Sequence, residues 1–419
     1  MKVAIIGGGI SGLMAARQLQ GKADYTLFEK NARLGGHTDT HEVAIQGKNY
    51  SVDTGFIVFN PPNYTHFNAM LEDYQVASQP SDMSFAVSNQ NSGLEYNATN
   101  LASLFCQKKN LFSLKFYGMI RDIMRFYKKA PELLDTLDEN VTLADYLQAH
   151  KYGDYFIEEH IIPMASALWS GDFASVRQFP LKYLLAFMRN HNMLQINDRP
   201  QWRTIQGGSQ RYVEAMQKNL SGTLHTAAEV MMVERKPHEV VVHSNKGMET
   251  FDRVIFACHS DQALDLIQAP TDQEREILGA IPYTRNEITL HTDGKVMPKN
   301  KKAWASWCVM KYTDMPDRCT VSYYMNLLQN IDCPEPLIVS LNQGSKIARD
   351  KILKTLYYHH PVYNPKSLAA QNRKDEIQGH KHSYFCGAYW GWGFHEDGAR
   401  SAVEAVNSLI SERTNANAA

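Results

Sequence analysis

The sequence predicts an α/β protein, in which a doubly wound dinucleotide-binding domain is interleaved with a second, α+β domain. Three observations carry this prediction. An apolar strand, Val3-Ala4-Ile5-Ile6, runs straight into the turn Gly7-Gly8-Gly9-Ile10-Ser11-Gly12 and a helical stretch from Leu13 to Gln20. A second strand, Tyr25 to Phe28, ends on the carboxylate of Glu29, with Lys30 and Arg33-Leu34-Gly35-Gly36-His37 after it. Near the other end of the chain, another glycine-rich strand-to-helix turn runs from Gly387 through Gly398.

Each glycine of the first turn has a separate physical reason. Gly7 permits the tight turn, Gly9 lets backbone approach a pyrophosphate, and Gly12 lets helix and strand pack closely. The helix opening at Ile10 and Ser11 offers unpaired N–H groups and a partial positive charge to phosphate. Glu29 stands near the ~20-residue distance at which an acid meets the ribose hydroxyls. A lone GxGxxG is weak evidence; the strand before it, the helix after it and the acid make it specific.

Bulk properties narrow the classes. At 419 residues the chain accommodates two or three domains with substantial cores. Its 43 basic and 44 acidic residues are balanced, which argues against a nucleic-acid partner. No run of about 18 apolar residues marks a membrane span. The six cysteines lack CxxC spacing, which argues against zinc and a disulfide framework and fits a reducing, cytoplasmic setting. His359-His360 has no partner at ligand spacing, so no metal is expected.

Periodicity orders the rest. Glu42–Ile45 and Asn49–Val52 read as a hairpin leading to Asp53-Thr54-Gly55-Phe56. Helical patterns dominate from about 100 to 200, with amphipathic stretches at Leu111–Lys129 and Leu181–Asn190. Strands return at Glu229–Val233, Glu239–His243, Arg253–Cys258, Ile288–Thr292, Thr320–Tyr324 and Leu337–Leu341. The final helix is expected from about Ala399 to Ile410, opening near Glu396. The dinucleotide domain accordingly takes residues 1–75, 201–270 and 376–419, and the second domain takes 76–200 and 271–375.

These residues resemble the flavin amine oxidase and phytoene desaturase superfamily, which pairs GxGxxG with Glu-x-x-x-Arg-x-Gly-Gly-Arg. Glu29, Arg33, Gly35 and Gly36 match, while His37 replaces the last arginine. The match continues at Asp53-Thr54-Gly55, Gly207-Gly208 and Phe385-Cys386-Gly387-Ala388. The resemblance implies a glutathione-reductase-like Rossmann domain binding FAD. Its cofactor set would be Gly7, Gly9, Ile10, Ser11, Gly12, Glu29, Lys30, Arg33, Gly35, Gly36, His37, Gly55, Phe56, Gly207, Gly208, Val230, Gly387, Glu396 and Asp397. Ala388 stands where amine oxidases usually carry an acid for the ribityl chain, leaving that role to backbone, Glu396 or Asp397. A closer similarity, through His291-Thr292-Asp293, Trp304-Ala305-Ser306-Trp307, Tyr324-Met325-Asn326 and Gly391 to Gly398, is to bacterial predicted FAD-binding proteins. These are often encoded beside cyclopropane-fatty-acid-synthase-like enzymes.

The resemblance implies an FAD-dependent oxidoreductase that desaturates or dehydrogenates a hydrophobic, fatty acyl or modified lipid substrate by hydride transfer to flavin N5. Two alternatives stand beside it: a flavin amine oxidase, and a non-catalytic lipid-binding or escort protein on the same fold. Amine oxidases of the family usually hold a water near N5 with a lysine; here the corresponding position is Asn286. Candidate catalytic residues are His291, Asp293, His395, Tyr389 and Trp392. The two aromatics share a glycine-rich turn that the family places beside the flavin. His395, Glu396 and Asp397 also open a helix, where acids are ordinary capping residues. The basic, aromatic stretch 107–129 suits a helix lying on an anionic membrane, or one packed on the second domain with a solvated cationic face.

Overall fold

The computed structural model describes residues 1–169, 171–194 and 200–418. Its organising element is a five-stranded parallel sheet in the order Thr223–His225, Asp24–Phe28, Lys2–Ile6, Arg253–Phe256, Ser383–Phe385. A parallel sheet needs cover on both faces, and the central strand meets this by alternation. Val3 and Ile5 point into one core and Ala4 and Ile6 into another. The first core is closed by the helices Ile10–Leu19, Gln210–Asn219 and His395–Ala418. The second is closed by an antiparallel sheet of Val230–Arg235, Val240–Ser244 and Gly247–Phe251. The closing helix opens where the sequence places it and runs beyond Ile410. Ala399, Ala402 and Ala405 on its buried face let it approach the first helix closely.

The second body is a seven-stranded mixed sheet. Its order is Ile352–Pro361, Tyr283–His291, Ile338–Leu341, Val321–Tyr324, Trp307–Lys311, Phe85–Asn89, Leu94–Asn97. Helices Leu114–Thr136, Leu143–Ala149, Ile162–Trp169 and Leu181–Asn190 build a single large core with it. Four of these strands carry no alternation signal. Phe85–Asn89 and Leu94–Asn97 bury Ser88, Asn89, Glu95 and Asn97, and they pair these groups internally through Ser88 to Glu95 (3.1 Å) and Asn89 to Glu159 (2.9 Å). Trp307–Lys311 packs on both faces, and Ile352–Pro361 is an edge with no fully buried side chain. The amphipathic stretch begins as a 3-10 turn, Lys108–Phe112; Ser113 then caps the helix by accepting from Phe116 N–H at 3.2 Å.

One buried carboxylate ties the two bodies together. Asp53, fully buried at the end of the hairpin strand Lys48–Asp53, accepts from Thr40 Oγ1, from Ser209 N (2.9 Å) and Oγ (2.9 Å), and from Gln329 Nε2 (2.8 Å). Its own N–H donates to Gln329 Oε1 at 2.8 Å. Truncating Asp53 to alanine strands these donors without water, so Asp53→Ala is expected to cost about 3 kcal/mol or more. Urea unfolding checks this, and a loss within 0.5 kcal/mol, about what a surface change costs, contradicts it.

Candidate functional site

The crevice lies at the carboxyl ends of the parallel strands, where ligands of open α/β sheets bind. Gly7 sits in the left-handed region (φ +109°), and a Cβ there would stand 2.7 Å from the Ala257 carbonyl. A Cβ on Gly12 would stand 1.9 Å from the Gly7 carbonyl, so helix and turn close only on glycine. Gly9 differs: a Cβ would meet nothing nearer than Gly36 Cα at 3.9 Å. The first two glycines hold the fold, and Gly9 faces space. Gly398 brings the closing helix to the same place, its hypothetical Cβ 2.9 Å from Ile10 and Ser11.

The helix opening at Ile10 is buried, has no side-chain cap and carries no acid in its first turn. Buried N–H groups without partners are costly, and an anion relieves them. Glu29 closes the neighbouring side. It accepts from Gly8 N at 2.8 Å and from Asn31 N and Nδ2 at 2.8 and 2.7 Å. Ala228 N donates to the Glu29 carbonyl, bringing Val230, buried in the second core, to the same end of the sheet, while Lys30 is exposed. Arg33 folds back over the loop, donating to the carbonyls of Thr38 (2.8 Å) and Gly36 (3.2 Å) and pairing with Asp39 at 2.9 Å. It shapes the Gly35-Gly36 turn.

His37 is the centre of an aromatic cluster. Its ring lies 5.7 Å from His259 and His360 and 5.2 Å from Tyr358, and its buried Nε2 has no partner. Burial pushes His259 and His360 down to about 3 and lowers His37, so all three are neutral at pH 7. Asp39 is held below the usual carboxylate range: burial opposes ionisation, but His41, the Arg33 charge and the Tyr358 hydroxyl outweigh it. Sequence periodicity missed His259, His360 and Tyr358, which come from a strand end and an unpredicted edge strand. Among the described residues, no cluster of His, Cys, Asp or Glu is disposed to hold a metal ion.

The Asp53 knot sets the next wall. It fixes Gly55 and Phe56 on one side and Gly207-Gly208 on the other; a Cβ on Gly55 would stand 2.0 Å from the His37 carbonyl, and one on Gly208 2.5 Å from Thr40. Phe56 stacks on His395 at 3.7 Å and 5°. His395 Nε2 meets Tyr212 hydroxyl at 2.8 Å and Thr38 Oγ1 at 3.1 Å. The stack joins the hairpin loop, the helix after Gly208 and the closing helix.

Several sequence-derived candidates take other roles. Glu396 accepts from His66 N (2.9 Å) and Phe67 N (3.0 Å), capping the helix Thr65–Asp73, and also meets His66 Nδ1. Asp397 accepts from Trp392 N, Phe394 N and Arg400, closing its own helix start. Both carboxylates are thus engaged in holding the fold. His291 donates to Ser340 at 2.8 Å and accepts from Asp293 N at 3.0 Å. Asp293 holds Lys295 N and Ala348 N. His291 lies five positions along its strand from Asn286, about 16 Å away, and Asp293 lies past the strand's end, capping the turn Gly294–Val296. Tyr389 packs with Trp390 in the second core of the nucleotide domain, below Gly387, so it is not a wall of an open cavity. Trp392 does face the second body: it packs near Tyr183, Phe187 and His191, and its carbonyl accepts from Trp169 Nε1 at 3.0 Å. Asn286, 1% exposed, donates to His360 Nδ1 at 3.0 Å and accepts from Asn342 at 2.7 Å.

An uncapped buried helix start, an open second glycine, an acid at the second strand end and an unpaired histidine nitrogen together fit a dinucleotide pyrophosphate and ribose. Fold and crevice thus define a dinucleotide-binding protein whose site is assembled from distant stretches of the chain. Comparison with known proteins gives the family: residues 10–344 match the flavin containing amine oxidoreductases, and the chain belongs to that family. It is an FAD-dependent oxidoreductase. Solved structures share the fold at low identity. A CLA-producing fatty acid isomerase from P. acnes is 14% identical over 97% of both chains, with a TM-score of 0.69. Cyclohexylamine oxidase from Brevibacterium oxydans IH-35A is 16% identical over 99% of both chains, with a TM-score of 0.69. Putrescine oxidase bound to putrescine is 12% identical over 98% of this chain and 99% of the other, with a TM-score of 0.68.

The glycine geometry separates cofactor from fold. Gly9→Ala is expected to weaken FAD binding about tenfold or more, read by flavin fluorescence quenching, with the melting temperature of the apoprotein unchanged. Gly12→Ala is expected to lower that melting temperature itself. Equal effects of the two changes on the apoprotein contradict the assignment.

Acidity supplies a second test. Burial pushes His395 down to about 3 and His191 and His291 to about 4. With folded values below the unfolded 6.5, the unfolded chain binds more protons as pH falls, so stability declines from about pH 6.5 downward. Each of the three contributes about 1 kcal/mol of loss by pH 5.5. Burial raises Asp53 and Asp397 to about 6, and their contribution runs the other way, growing as pH falls through 6. With His259 and His360, five histidines outweigh two acids, so the melting temperature is expected to fall between pH 7 and 5. His395→Phe keeps the stack on Phe56 and is expected to flatten that slope.

Proposed function

We propose that this protein dehydrogenates a hydrophobic, acyl-chain substrate, passing hydride from a C–H bond to N5 of FAD. The observation that carries the reading is Asn286, at the position where the resemblance to amine oxidases calls for a lysine. Both ends of its amide are spent inside the protein, on His360 and Asn342. No ammonium is offered there to hold a water against the flavin.

Bound FAD supplies a two-electron acceptor. The chain's own residues bind it, orient the substrate and exclude water. Asn286 Nδ2 donates to His360 Nδ1, so the neutral His360 ring keeps its proton on Nε2. Trp169, Phe179, Tyr183, Phe187, Trp392 and Phe394 pack as one aromatic group between the second body and the closing turn. Such a wall suits a methylene chain, and the carboxylate beside it, Asp397, is already held by Trp392 N, Phe394 N and Arg400. The likeness of fold to a fatty acid isomerase is consistent with an acyl substrate. Desaturation would balance as two hydrogens lost from adjacent carbons, one as hydride to bound FAD and one as a proton released to solvent.

Anaerobic titration of the FAD-loaded protein tests the reading. Fatty acyl or phospholipid ligands are expected to bleach the flavin absorbance, and putrescine or cyclohexylamine to leave it unchanged. Bleaching by an amine with silent acyl ligands assigns the protein to the amine oxidases instead.

A further inference from the structure

Outside the crevice, the surface feature that stands out is the segment Lys108–Phe112 and the first half of the helix Leu114–Thr136. Phe112 is 87% exposed and Leu114 88%, flanked by Leu111, Tyr117 and Met124, each about half exposed. The helix buries its opposite face, Phe116, Met119, Phe126 and Ala130, in the large core, so the exposed apolar residues are additional to those that hold the fold. Soluble surfaces rarely gather such residues in one place.

The charge around them has one sign. Lys108, Lys109, Lys115, Arg121, Arg125, Lys128 and Lys129 face a single acid, Asp122, in a chain whose net charge is −1. Asp122 is buried and pairs with Arg121 and Arg125. Among the described residues, no carboxylate pairs with Lys108, Lys115, Lys128 or Lys129. Protruding Phe and Leu within a rim of unpaired lysines match the interface of an anionic bilayer, apolar below and negative at the headgroups.

We propose that this face docks the protein on an anionic lipid surface, with Phe112 and Leu114 inserted below the headgroups and Lys108, Lys115 and Lys128 at the phosphate level. The helix packs on Leu181–Asn190, which carries Tyr183 and Phe187 of the aromatic wall, so the docked face lies one helix from the site. The docking inference stands independently of the substrate: vesicle binding and flavin bleaching are separate readouts.

Sedimentation of the full FAD-loaded chain with phosphatidylcholine vesicles, with and without a fifth of phosphatidylserine, tests it. The protein is expected to pellet with the anionic vesicles and to release as salt rises. Phe112→Asp with Leu114→Asp is expected to lower partitioning about a hundredfold, at unchanged melting temperature. Lys108→Glu with Lys115→Glu is expected to abolish the preference for anionic lipid. Equal pelleting of wild type and the Phe112/Leu114 variant overturns the proposal. So does concentration-dependent self-association that the same variant abolishes without any vesicle binding, which makes the face a protein interface.

Discussion

The structure hangs on one buried carboxylate. Asp53 draws together a hairpin, the start of the helix Gln210–Asn219 and Gln329 of the second body, segments that are far apart in sequence. Burial raises it to about 6, against the lowering effect of the donors from Thr40 and Ser209. A group that retains this unfavourable burial is satisfied only if every donor stays in place, so the knot acts as an all-or-none latch. The loops it latches, Thr54–Phe56 and Gly207–Ser209, are the ones the family resemblance places against the flavin. Positioning of the site and cohesion of the two bodies are therefore the same interaction.

The split site follows from the chain's path. The parallel sheet takes strands from three separate stretches, and the crevice forms only where their carboxyl ends converge. Gly7 contacts the chain after Arg253–Phe256, and Gly398 contacts the helix that Gly7 introduces. The stack of Phe56 on His395, with Tyr212 and Thr38 on the imidazole, closes the same ring from within the nucleotide domain. A local change in any one stretch is felt through backbone approach distances that leave no room for a Cβ.

What the sequence made legible was the part governed by local rules. Gly7, Gly9 and Gly12 each have a conformational reason visible in a short window, and Glu29 closes that window at a fixed spacing. The hairpin ending at Asp53 and the helix opening at His395 were readable for the same reason. Residues whose role is set by long-range pairing were not. His360 approaches His37 only because an edge strand with no buried side chain pairs with Tyr283–His291, and His259 arrives from the end of the parallel strand Arg253–Phe256. Glu396 and Asp397 looked like cofactor ligands because helix starts attract both anions and capping acids. Only the position of His66 and Phe67, hundreds of residues away in the chain, resolves the first of them as a cap. His291 and Asp293 drew attention as a polar pair, and their partners Ser340 and Ala348 lie on elements whose register no local pattern encodes.

The crevice also explains why a family arginine can be replaced by histidine without losing the site. Arginine carries its charge with or without the cofactor and needs an anion or a carboxylate beside it at all times. His37, lowered by burial and flanked by neutral His259 and His360, carries no such requirement in the free protein. Its remaining cost is an unpaired Nε2, added to the uncapped N–H groups of the helix at Ile10. A pyrophosphate at the helix start would relieve those N–H groups. Ligand that binds only the folded state adds its binding free energy to stability. The polar groups left unsatisfied in this crevice thus couple cofactor binding to the integrity of the strand ends that form it.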